Sequence, residues 1–188
     1  GAATQNFTIN SVGQLARDVE REVSEPILRF CVALSDDDLL DILGNHPQSW
    51  VISAIAGRKS VSARVSTAVF ETKDMTANTI LLRNAGSTLA AETLQKIIDQ
   101  SRDSPDWHES IAVRRELSLE LARQLAGFVS ESVLGVLEKR SDFDPETRRE
   151  IVDIVRRRID YHSQGAAQEP PESKVERFAK AGKLSAGM

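Results

Sequence analysis

The strongest constraint on the fold is a pattern that recurs along the chain. Four segments, PILRFCVALSDDDLLDIL, AIAGRKSVSARVSTAVF, TILLRNAGSTLAAETLQKII and SIAVRRELSLELARQLAGF, share one order. Each opens with a short apolar stretch at helical spacing, breaks for three or four residues, presents a serine and continues as an amphipathic stretch. The serines are Ser35, Ser62, Ser87 and Ser118, which lie 27, 25 and 31 residues apart by subtraction. Four residues before the last three stand Arg58, Arg83 and Arg114, and Cys31 holds that place in the first segment.

The physical logic of this unit is local. A serine accepts a hydrogen bond from the first free amides of a helix, so each serine is expected to cap the second helix of its segment. An arginine near the end of the first helix favours that helix's negative C-terminal pole. The acidic run Asp36, Asp37 and Asp38 follows the first capping serine, where negative charge is stabilised, and is read as capping rather than as a metal or acid–base cluster. Helices of two to four turns cannot bury their apolar stripes alone. Stacking the pairs buries both, and periods of 20–50 residues are the signature of that architecture. The predicted fold is therefore all-α, a HEAT-like α-solenoid of stacked short helix pairs, with no strand-type alternation. Aromatic residues at only 5% agree with a core of Leu, Ile, Val and Ala between closely packed helices.

The rest of the chain completes the plan. Val12, Leu15, Ala16, Val19 and Val23 predict a helix from Ser11, and Ser24-Glu25-Pro26 predicts a fresh helix start. A longer helix is predicted from Ser118 to about Arg140. Asp144-Pro145-Glu146 opens another, with Ile151, Ile154, Val155 and Ile159 on its buried face. Residues 1–10 read as a disordered or tag-derived start, 11–163 as the helical-repeat domain, 164–173 as a linker, and 174–188 as a short helix and the truncated end of a longer chain.

The units ILRFCVALSDDDLLDIL, AGRKSVSARV and AVRRELSLELARQL, with SEPILRF…LSDDDLL as the most specific piece and FAKAGKLS near the end, resemble an alphaproteobacterial family known only as a domain of unknown function (number 2336). The resemblance runs from about residue 11 to 188 and implies lineage and helical fold, with no catalytic residues to carry over. The third unit departs from the pattern at Ala85-Gly86, which predicts a looser turn before Ser87.

Chemistry-bearing motifs are sparse. His46, His108 and His162 lie far apart with no ligand spacing around them, and are read as surface or capping residues. No phosphate-binding glycine loop or nucleophile elbow is present. Cys31 lies in an apolar run and reads as a small buried hydrophobe, and one cysteine allows no disulfide within the chain. That fits a reducing, cytoplasmic setting, and no apolar stretch approaches the ~20 residues of a membrane span. A net charge of −4 argues against nucleic acid.

These observations favour a non-catalytic protein–protein interaction scaffold or regulatory module, with no cofactor, no metal and a protein partner. The alternative from another class is a HEAT-like nucleic-acid-acting enzyme of the DNA glycosylase type. It would need a basic groove from clusters such as Arg114-Arg115 and Arg156-Arg157-Arg158, with Trp50 and Trp107 as the available indoles. Arg58, Arg83 and Arg114 are the candidate binding residues: at equivalent points on successive pairs they would form a ladder facing an extended acidic segment. The preferred reading of the same three is structural, each satisfying carbonyls at its own helix end or a carboxylate of the next unit.

Overall fold

A computed structural model describes residues 21–167, with side chains through residue 161. The expected helix from Ser11 and the expected short helix after residue 174 lie outside the described residues. The chain divides into two compact units, residues 1–125 and 126–188. The described residues are helical throughout, with no strand among them and one isolated parallel bridge between Val61 and Ser87.

In the first unit the order is α1 (Arg21–Phe30), α2 (Asp36–Asn45), α3 (Ser49–Ala56), α4 (Ala63–Glu71), α5 (Met75–Arg83) and α6 (Ala91–Gln100). Two short 3-10 turns, α7 (His108–Ala112) and α8 (Leu119–Ala126) follow. Odd helices pack on odd helices, α1 on α3, α3 on α5 and α5 on α7. Even helices form the second layer. Helix α2 packs on α4, Thr67 of α4 meets Thr93 of α6 at 2.8 Å, and Gln95 of α6 donates to Gln124 of α8 at 2.7 Å. The core between the layers is aliphatic, with Leu28, Ile42, Ile55, Leu81, Leu94 and Ile98 fully buried. Phe70 and Trp107 are its buried aromatic residues, and the Trp107 indole N–H donates to Thr79 Oγ1 at 2.9 Å because a buried N–H needs a partner.

Three of the four repeat serines cap the second helix of their segment. Ser35 and Asp38 form a reciprocal capping box on α2. Ser62 accepts the Val65 amide at 3.2 Å, and Ser118 accepts the Leu121 amide at 3.3 Å. The acidic run caps as expected and also joins repeats: Asp36 accepts from Ser62 Oγ at 2.6 Å, and Asp37 pairs with Arg64 at 2.7 Å.

Ser87 does not cap a helix. Helix α6 starts four residues later than that serine, with Ala90 as its N-cap and no side-chain cap bond. The true cap positions in this unit are Ser35, Ser62, Ala90 and Ser118, at intervals of 27, 28 and 28 by subtraction. The uneven spacing of the serines came from including Ser87 where the register belongs to an alanine.

Two other expectations are corrected here. Helix α1 runs through Pro26 rather than starting there, because Ser24 and Leu28, one turn apart, are both buried on its inner face. The long helix expected from Ser118 to Arg140 ends at Ala126, ahead of Gly127.

The second unit contains α9 (Glu131–Glu138) packed on α10 (Pro145–Ala167). Asp144 caps α10 through the Glu146 and Thr147 amides, at 3.0 and 2.9 Å, with Pro145 in the first turn as predicted. The Thr147 hydroxyl, followed by these amide bonds, holds the Asp144 carboxyl below the usual carboxylate range. Ile151 and Val155 are buried; Ile154 and Ile159 are only half-buried. Helix α10 continues through Ala167, so residues 164–167 are helical where a linker was expected. Among the described residues no helix is long and apolar enough to cross a membrane.

Candidate functional site

Two buried guanidiniums lie at the C-terminal ends of the odd helices in the first unit. The last carbonyls of a helix have no partner within it and must find donors elsewhere. At the end of α1 that donor is Arg58, which is buried and extends from the end of α3. Its guanidinium bonds to Leu28 O and reaches Cys31 O at 2.7 Å. Burial lowers the Arg58 pKa, and the neighbouring Cys31 and Asp36 oppose that shift.

Arg114 repeats this arrangement one pair of odd helices further on. It is buried at the end of α7 and donates to Leu82 O at 3.3 Å, Asn84 O at 3.1 Å, Ser87 Oγ at 3.0 Å and Ser87 O. Glu116 pairs with it at 2.9 Å and also accepts the Leu89 amide at 3.0 Å. Burial pushes the Glu116 carboxyl up, but the bonds from Arg114 and Leu89 outweigh it and leave the pKa below its ordinary 4.5. Ser87 sits beneath Arg114 with its own hydroxyl donating to Leu81 O at 2.8 Å, which is why it is unavailable as a cap.

The junction between α3 and α5 is built differently. Four residues before each cap position stand Cys31, Arg58, Gly86 and Arg114, so glycine occupies the arginine's place here. A Cβ at Gly86 would lie 1.9 Å from Lys59 O. The missing side chain lets two loops meet backbone to backbone: Val61 N donates to Gly86 O at 3.1 Å and Thr88 N to Val61 O at 2.9 Å. Asn84 supplies the donors an arginine would have given, reaching Ala56 O at 2.9 Å and Arg58 O at 2.8 Å. The turn before Ser87 is thus tighter than expected.

The binding ladder of Arg58, Arg83 and Arg114 is accordingly corrected. Arg58 and Arg114 are committed to carbonyls of the preceding odd helix rather than of their own helix end, while Arg83 is exposed and belongs to a different register. They form no single exposed row because the reach needed to cap a neighbouring helix buries the guanidinium. In the second unit Arg140 stands four residues before Asp144, buried and paired with Asp142 over the Phe143 ring. Arg158 reaches Ala126 O and Val129 O.

The histidines also divide. His46 is exposed at the end of α2, whereas His108 is buried, with Nε2 2.7 Å from Ser101 O, against the expectation of a surface residue. The His162 side chain lies outside the described residues. No group of three or more metal-ligating side chains occurs among the described residues. Cys31 is a free thiol, half-buried rather than fully so.

A cleft of about 680 Å³ lies between the end of α5 and α7. Arg114 and Ser87 form its floor. Leu82, Ala85 and Val113 give it apolar surface, and Val113 is 62% exposed. Arg83 and Arg115 line it alongside Asp106 and Glu109. All four charged groups are exposed, and none has an ion pair or side-chain hydrogen bond among the described residues. Of these, the repeat spacing had singled out Arg83 and the basic Arg114-Arg115 cluster had included Arg115; Asp106 and Glu109 carry no spacing signal, since the cleft is assembled from parts of two repeats.

No curated protein and no solved structure matches the chain. The sequence profile of a family described as an uncharacterised protein conserved in bacteria, DUF2336, matches residues 23–188. That span takes in every described helix from the third residue of the first unit's opening helix onward, and the chain belongs to this bacterial family.

Proposed function

We propose that this chain is a non-catalytic interaction module, working in the cytoplasm, whose first unit offers a partner protein a preformed docking site. The observation that carries this reading is the cleft between α5 and α7. Its floor is fixed by the bonds from Arg114 to the end of α5, so little order has to be created when a partner arrives. Its volume lies within the ~300–1,000 Å³ of typical binding clefts. Its walls carry charges that no neighbour has neutralised. Stacked helix pairs also present successive faces side by side, a geometry suited to extended partner segments.

A photo-crosslinking amino acid at Val113 tests the reading in the native host. It is expected to couple the chain to a discrete protein, while the same group at exposed Lys96 on α6 does not. Equal labelling from both positions, or none from Val113, overturns it.

A further inference from the structure

The kind of partner follows from the charges of the cleft, and this step rests on the docking reading above. Three ion pairs at the surface of the first unit join Arg21 with Glu25 and Arg64 with Asp37, both at 2.7 Å, and Arg123 with Glu120 at 3.8 Å. Arg83 and Arg115 line the same space as Asp106 and Glu109, yet no ion pair joins them. The deeper pair offers no spare valence for a ligand. The Arg114 guanidinium is occupied by carbonyls, Ser87 and Glu116, and Glu116 is occupied by Arg114 and the Leu89 amide. Recognition therefore falls to the four outer charges and to exposed Val113.

We propose that the cleft takes an extended protein segment carrying both signs of charge. A carboxylate of the segment pairs with Arg83 and Arg115, a lysine or arginine pairs with Asp106 and Glu109, and a small apolar side chain lies on Val113. A purely acidic segment sets like charge against Asp106 and Glu109. A purely basic one does the same against Arg83 and Arg115. A nucleic-acid strand, uniformly anionic, fails for the first reason. Of these occupants only the mixed segment satisfies both signs of lining charge, and like-charge contact against the others supplies selectivity.

The test uses the full chain and three fluorescein-labelled peptides of equal length, built from Glu-Val-Lys, Glu-Val-Glu and Lys-Val-Lys repeats, read by anisotropy. The mixed peptide is expected to bind about tenfold tighter than either single-sign peptide, and to weaken as added salt screens the exposed charges. Arg83→Glu with Arg115→Glu should weaken the mixed peptide by about tenfold and turn the preference towards the basic one. Asp106→Lys with Glu109→Lys should turn it towards the acidic one. All four positions are exposed, and a helical circular-dichroism spectrum checks that each variant is folded. Equal affinity for the three peptides, no binding of the mixed one, or preferences that the variants leave unchanged would overturn the charge assignment. If crosslinking from Val113 persists alongside such a result, the docking site stands and only its specificity is wrong. If crosslinking is also lost, both fall.

Discussion

Two kinds of junction join the repeats of the first unit, and they meet the same need with different chemistry. Between α1 and α3, and between α5 and α7, a buried guanidinium spans the gap and saturates carbonyls of the preceding helix. Between α3 and α5 the backbones touch directly, made possible by Gly86, and the shorter amide of Asn84 covers the remaining carbonyls. The closer the loops approach, the less reach the capping side chain requires. A residue type at a repeat position is thus set by the gap it must bridge, and the apparent break in the pattern at Ala85-Gly86 is a second solution to one problem.

The comparison breaks most sharply at Gly86. Gly86→Ala places a methyl group against Lys59 O, a backbone atom that cannot swing aside, and is expected to cost about 3 kcal/mol or more. Gly44→Ala in α2 is the control: its new Cβ meets nothing within 4 Å, and helix propensity should raise stability by up to about 1 kcal/mol. Urea unfolding of both variants reads the difference. A Gly86→Ala protein as stable as the parent would mean that the loops do not meet as described.

The guanidinium junctions should be graded by how many acceptors they serve. Arg114→Met strips donors from three carbonyls and Ser87 and leaves Glu116 without its cation, so a loss of about 3 kcal/mol is expected. Arg58→Met strips donors from two carbonyls, and about 2 kcal/mol is expected. Equal losses in the two variants would show that the extra partners of Arg114 contribute nothing.

The smallest effect concerns Glu116 and is read through pH. Its folded pKa lies below the ordinary 4.5, so the folded state binds fewer protons than the unfolded state between those two values. Its contribution is present at neutral pH and is lost as pH falls through the folded value. The stability gap between the parent and Glu116→Gln should therefore be largest near pH 7 and close below about pH 4, with a size under about 1 kcal/mol after solvent screening. A gap that widens on acidification would reverse the assigned direction.

Much of the fold was legible because its signals are local. Ser35, Ser62, Ser118 and Asp144 each announce a helix within four residues of themselves, and the apolar spacing announces the stripe each helix buries. Legibility failed where a local signal was used for something non-local. Ser87 resembles a cap in sequence but spends its hydroxyl on Leu81 O and its carbonyl on Arg114. Ala90, the real cap position, has no side chain to reveal it, and the nearby Leu89 amide is served by Glu116 from 27 residues away. Counting back four residues from the wrong serine selected Arg83 in place of Gly86. The exposure of Arg83 was therefore an accident of register, yet it does line the cleft. Arg115, Asp106, Glu109 and Val113 were invisible as a group because only the packing of α7 against α5 brings them together.

The span of the junction bonds has a kinetic consequence. Arg58 to Cys31, Asn84 to Ala56 and Arg114 to Ser87 link residues 27, 28 and 27 positions apart, each close to the length of one repeat. No described junction in the first unit waits for the chain's distant ends to find each other, so the entropy of closing each loop is modest and nearly the same at every step. Assembly can begin at any adjoining pair of repeats and spread outward like a zip, which places this unit among rapidly folding topologies despite the many polar groups locked at its seams.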